Sequence, residues 1–170
     1  MAWTTPPGWS VGQVSTASDW NTYVEANTIF LANPPVLRVY RTSSWAGANT
    51  MTLIPYDTVQ VDTASGFNTS NALYTIPVTG RYAVTVTASY VNASSGNVLQ
   101  SAIYINGNPW AVGPLMVTGV NANYMAQATD LCVTCNAGDT IAGYSTTSIG
   151  TPTAVLGPTT IFMSIVKVSN

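Results

Sequence analysis

Four groups of residues in this chain could do chemistry: six carboxylates, a C-x-x-C pair of cysteines, abundant hydroxyls and a few aromatics in turn-rich stretches. Histidine is absent from the 170 residues, so acid–base work would fall to the carboxylates. Asp57 and Asp62 lie five apart across a strand end, and Asp130 and Asp139 flank the cysteines. A glycosidase needs two carboxyl groups facing each other across a sugar. These acids all stand at strand ends or turns instead, where Asp ordinarily serves the backbone. Asp57 and Asp62 are also the candidates for a loop calcium ion, which takes carboxylate oxygens. No G-x-S-x-G elbow is present to activate one of the many serines.

Cys132-x-x-Cys135 lacks the further ligands that a four-coordinate zinc requires. It falls within a strand pattern, not ahead of a helix as a thioredoxin-type redox site would. Reduced, packed thiols are therefore expected, since a disulfide would need a bend in the strand. Trp45, Trp110 and Tyr144 could stack on a sugar ring or could serve as plain hydrophobic contacts. Nothing in this inventory predicts an enzyme or a cofactor.

Charged residues make up 6% of the chain, against about 25% in an average soluble protein. Hydrophobic residues reach 46%, and Thr, Ser, Asn, Ala and Gly take up the difference. Such a surface is polar yet nearly uncharged, and an assembly that hides much of it is expected. Arg38, Arg41, Arg81 and Lys167 are scattered and the net charge is −2, which excludes a phosphate-neutralising nucleic-acid surface. No apolar run approaches the roughly 18 residues of a membrane span, and the first residues lack a basic segment leading into an apolar one. Neither a membrane span nor a signal peptide is expected. The sequons Asn68-Thr-Ser and Asn92-Ala-Ser are ordinary in so Asn/Ser/Thr-rich a chain.

The clearest element follows the Thr79-Gly80 turn signal. Tyr82, Val84, Val86, Ala88 and Tyr90 alternate with Ala83, Thr85, Thr87 and Ser89, a strand with one large-residue face toward a core. Further strands are expected at 36–41, 51–61, 72–78, 98–105, 109–117, 123–135, 139–147 and 160–168, at the spacing of a β-sandwich. The last carries Ile161, Met163 and Ile165 on one face and Phe162, Val166 and Val168 on the other, so it should be central and covered on both sides.

The chain begins differently. Trp3, Pro6, Pro7, Gly8, Trp9 and Gly12 predict an extended arm. A helix is expected from Thr16 to about Leu31, with Thr16 and Asp19 in capping-box spacing. Trp20, Val24, Asn27 and Leu31 form its apolar stripe, with Asn27 as a register-setting polar residue or a solvated one. Asn33-Pro34-Pro35 is a stiff linker, so the expected division is 1–35 and 36–170.

Ile76-Pro77-x-x-Gly80-x-Tyr82-x-Val84, Ile103-Tyr-Ile-Asn106-Gly107 and Ala137-Gly138-Asp139-Thr-Ile141 occur in order. Together they resemble the jelly-roll domain of complement one-q heads and tumour-necrosis-factor ligands, from about Val36 to Ser169. That resemblance implies an all-β, two-sheet jelly-roll sandwich, Gly66-Phe67 in a loop, and a homotrimer built around the inner sheet. Trp9, Gly12, Thr16, Ala17, Asp19, Asn21, Asn27 and Leu31 match a second pattern. It is similar to the amino-terminal segment of small tailed-bacteriophage virion proteins, although Trp20 stands where a smaller apolar residue is commoner. This resemblance implies a structural virion protein, made in the host cytoplasm, whose arm and helix (Trp3, Trp9, Trp20, Val24, Asn27, Leu31) dock to capsid or tail proteins. The roles consistent with it are capsid decoration, fibre component, or a fibre tip that binds host-surface saccharide. A cellular one-q-like ligand or lectin is the reading from another class.

Overall fold

The computed structural model describes residues 8, 10–119, 122–149 and 153–169. The chain divides into two units, Met1–Pro34 and Pro35–Asn170. In the first, Thr16 caps a helix as its spacing requires. The Asp19 amide donates to Thr16 Oγ1 at 3.2 Å, and the Thr16 amide donates back to Asp19 Oδ2 at 2.8 Å. The Thr16 amide, and then the Thr16 hydroxyl donating to the same Oδ2 at 2.8 Å, hold the Asp19 carboxyl below its ordinary range.

The helix is not the uninterrupted α-helix expected. Short α1 (Ala17–Asp19) passes into a π-helical segment, Trp20–Glu25, and then α2 (Ala26–Ala32). A π turn takes about one residue more than an α turn, so everything after it is rotated relative to a straight helix. Asn27 is buried, while Trp20, Val24 and Leu31 are 56%, 46% and 65% exposed. Trp3 and Trp9 lie outside the described residues.

The second unit is a two-sheet sandwich. Its strands are β1 (Val36–Tyr40), β2 (Thr52–Leu53), β3 (Thr58–Asp62), β4 (Phe67–Asn68), β5 (Leu73–Thr75), β6 (Gly80–Ala93) and β7 (Val98–Ile105). They continue with β8 (Asn108–Val112), β9 (Met116–Val117), β10 (Ala122–Cys135), β11 (Thr140–Thr147), β12 (Thr153–Ala154) and β13 (Phe162–Ser169). Among the described residues, one antiparallel sheet runs β10-β6-β13-β1-β3 with β12 beside β6. The other runs β4-β5-β11-β7-β8, with β2 beside β11 and β9 beside β7. This is the all-β jelly-roll sandwich that the sequence predicts.

Alternation explains the core. Tyr82, Val84, Val86, Ala88 and Tyr90 of β6 are wholly buried between the sheets, as are Leu99 and Ile103 of β7 opposite. Gly80 opens β6 because the Ser169 carbonyl and the Lys167 stem occupy the space a Cβ would need. The expected 51–61 strand is broken around Pro55, which supplies no N–H, and the chain crosses from β2 in one sheet to β3 in the other. Gly113-Pro114 likewise divides the expected 109–117 strand, and Phe67-Asn68 pairs as β4 where a loop was expected. β13 is the middle strand of its sheet, as expected. Its second face is not fully covered within one chain: Phe162, Ser164 and Val166 stay partly exposed, and Val168 is exposed.

Candidate assembly surface

β10 is an edge strand with a break in its register. Between Asp130 and Val133 the pairing with β6 shifts, so Leu131 and Cys132 bulge out while Val133 and Cys135 stay in the core. Asp130 makes the bulge locally, its Oδ1 accepting from the Cys132 amide at 2.9 Å. Its Oδ2 accepts from Trp110 Nε1 of β8, also at 2.9 Å, joining the edges of the two sheets. Gly113 then lies so close to β10 that a methyl would fall on the Gln127 carbonyl. Along β8, β9 and the bulge Trp110, Val112, Leu115, Val117 and Leu131 are exposed, Leu131 by 71%, while Met125 is exposed on the outward face of the sheet beside Gln127. Large apolar side chains left open in such number are the kind that an interface covers.

The outward face of the β10–β3 sheet is different. One transverse row reads Thr129, Thr85, Ser164, Arg38, Val61, and the next Gln127, Thr87, Phe162, Tyr40, Thr58. The rows are small and hydroxylated on the β10 side, with Gln127 Nε2 donating to Thr129 Oγ1 at 2.9 Å. On the β1 side the Arg38 guanidinium stacks 3.9 Å over the Phe162 ring and donates to the Pro158 carbonyl. Among these ten side chains Arg38 is the single charge, and Thr87 is buried, its hydroxyl donating to the Thr160 carbonyl at 3.2 Å.

The other predicted site residues do not meet. Trp45 packs against the core with its ring 5.8 Å from Tyr90, in a loop pinned by Arg41 and Asp57. Arg41 donates to the Pro55, Ser43 and Ser44 carbonyls and pairs with Asp57 at 3.2 Å. Burial alone would raise the Asp57 pKa, but hydrogen bonds from Ser43, Thr42 and Thr58 outweigh it and hold the carboxyl far below its ordinary range. Tyr144 stacks on Tyr104 of β7 at 3.8 Å, so one face of its ring is already covered. Trp110 alone of the three stands largely open.

The calcium candidates face donors. Asp57 accepts from Thr42 and Ser43 amides, and Asp62 from the Ala64 and Phe67 amides. Carboxylates so occupied would turn a cation toward N–H groups, and among the described residues no cluster of metal-ligating side chains forms. Cys132 and Cys135 are both free thiols. Burial, then the Asp139 charge, push the Cys135 thiol up to about 11. One spacing overlooked at the level of sequence is Ser164-x-x-Lys167, which matches the Ser–Lys dyad of penicillin-recognising enzymes. Three residues apart on a strand, the two point to opposite faces. Lys167 is buried on the core side, where desolvation lowers its pKa and Nζ donates to the Ser169 carbonyl at 3.0 Å.

No family model matches the sequence, and no curated protein matches it. Solved structures do. The globular domain of zebrafish complement 1qA is similar at TM-score 0.60 and 13% identity, covering 80% of this chain and 99% of that one. Eiger TNF from S. frugiperda gives 0.57 at 13%, covering 80% and 94%. Murine APRIL at pH 5.0 gives 0.60 at 12%, covering 79% and 98%. The sandwich is thus a complement one-q/TNF-like jelly roll, a fold that by itself leaves the biological role open.

Proposed function

We propose that this chain is a non-enzymatic structural protein of a tailed-bacteriophage particle, a homotrimeric jelly-roll module held to capsid or tail proteins by its N-terminal arm and helix. The observation that supports the self-association is that one chain carries both exposed apolar side chains along its β8 and β10 edges and a charge-poor outward face on the β10–β3 sheet. Two different patches that fit each other make a head-to-tail contact, which closes into a ring when the rotation allows. Their charges are opposite in sign: Asp130 lies on the edge, Arg38 and Arg81 on the face strands. The threefold number rests on the likeness to the one-q and TNF fold, and the virion on the Trp9-to-Leu31 pattern. Of the two virion roles, decoration or fibre structure is preferred over saccharide binding, because Trp45 packs against the core beside Tyr90 and Tyr144 has one ring face stacked on Tyr104.

Native mass spectrometry tests the assembly. A mass three times 17.8 kDa is expected for the wild type, and Leu131→Glu should yield folded monomers. A wild-type monomer at micromolar concentration would remove the edge-to-face contact, and another closed number would keep the contact and discard the threefold. Labelling the protein in purified particles tests the role: faces or vertices mean decoration, the distal tail means a fibre.

A further inference from the structure

Asn106-Gly107 is the only Asn-Gly pair in the chain. It forms the tip between β7 and β8, with φ of +50° at Asn106 and +76° at Gly107, the left-handed pair of a two-residue type I′ turn. In a flexible chain this dipeptide is the one most prone to lose its side-chain ammonia. The backbone nitrogen of the glycine attacks the asparagine Cγ, ammonia leaves, and water opens the resulting succinimide to aspartate or isoaspartate. Glycine favours the attack because no Cβ hinders its nitrogen.

Here both ends of the carboxamide are held. Asn106 Nδ2 donates to Asp139 Oδ1 at 2.8 Å, and Asn106 Oδ1 accepts from the Thr140 amide at 2.8 Å. The Asn106 amide donates to the Thr140 carbonyl at 2.9 Å. Asp139 is fixed in turn, its Oδ2 accepting from the Asn136 amide at 2.7 Å. One side chain therefore ties the β7–β8 turn to the β10–β11 turn. To bring Cγ onto the Gly107 nitrogen, the carboxamide must let go of both partners, one of them charged and so more strongly bound.

We propose that Asn106 is a spontaneous deamidation site that Asp139 and Thr140 keep closed in the folded protein, and that its conversion releases the latch between the two turns. The reaction needs only water and returns ammonia. The aspartate product has no Nδ2–H to offer and sets a second carboxylate against Asp139. The isoaspartate product adds a methylene to the backbone of a turn whose register has no slack for it.

Peptide mass spectrometry on the full chain, incubated at neutral to mildly alkaline pH, tests this. Conversion at Asn106 should be slow in the folded protein and faster in denaturant by on the order of tenfold or more, the factor that one charge-assisted hydrogen bond supplies. Asp139→Ala removes the acceptor and should speed conversion in the folded state, whereas Asp139→Asn keeps one oxygen but loses the charge and the second acceptor, and should fall between the Ala variant and wild type. If Asp139→Ala does not fold, Asp139→Ser keeps a turn-capping hydroxyl but is too short to hold Nδ2. Asn106→Asp should melt below wild type. Equal rates in folded and denatured wild type would overturn the proposal, as would a folded Ala or Ser variant that deamidates no faster than wild type.

Discussion

The helix at Ala17–Ala32 and strand β6 carry the same kind of message in sequence, apolar residues at a regular spacing, and the structure answers them oppositely. On β6 the large face meets a second sheet from the same chain, and Tyr82 to Tyr90 disappear from solvent. On the helix Trp20, Val24 and Leu31 remain open. Periodicity states which residues want a partner. Whether the partner is supplied in the same unit is a separate matter, decided by how many layers the rest of the sequence can build. A helix this short draws little stability from its own propensity, so its open stripe fits the docking role proposed for it.

Removing residues 1–33 breaks the comparison most severely. The sandwich should still fold, because its core lies wholly after Pro34, and incorporation into particles should be abolished. Circular dichroism of the truncated protein and its occupancy on purified particles read the two halves. Normal occupancy would move docking to the jelly roll, and failure to fold would mean the helix is part of the sandwich core. Next in size, Ile103→Ala empties a wholly buried position and should cost about 2–5 kcal/mol in chemical denaturation.

Asp57→Asn acts at a loop that burial only partly protects. Losing charge-assisted bonds should cost about 1–3 kcal/mol at neutral pH. Asp57 has a folded pKa below its unfolded value. Its contribution is therefore complete above an unfolded pKa of about 4 and drains away as pH falls through the folded value. Acid titration of stability should show that decline in the wild type and a shallower one in the variant. The smallest effect sharpens the contrast: Leu31→Ala, at an open position, should move the denaturation free energy by no more than about 0.5 kcal/mol.

What was legible in the sequence was whatever a period of two encodes. β6 follows from side chains alternating between a wet and a dry face and the central place of β13 from apolar residues on both of its faces, while the jelly-roll architecture follows from the resemblance carried by three short motifs. The break at Pro55 was readable in principle, since a residue without an N–H interrupts a ladder, but the jump it permits between sheets depends on partners distant in the chain. The π segment was not readable, because an added residue in a helical turn leaves no distinctive residue type behind. Nor was the seam of Trp110 with Asp130, which requires two strands twenty residues apart to be neighbours across the sandwich edge. The candidate site suffered most. Trp45, Trp110 and Tyr144 share a side-chain chemistry suited to a sugar ring, and only the fold reveals that two of them already lean on Tyr90 and Tyr104.

The middle place of β13 has a consequence for how the protein is made. β1 pairs with β3 on one side and with β13 on the other, and β6 reaches β1 only through β13. A nascent chain emerging from the ribosome must therefore hold Leu37 and Val39 without their permanent neighbour until residues 162–169 have been synthesised and released. Sequence-distant pairing of this kind folds slowly. It also exposes truncation, for a message cut short anywhere before β13 yields a sheet split down its centre, with unpaired strand edges open to proteases.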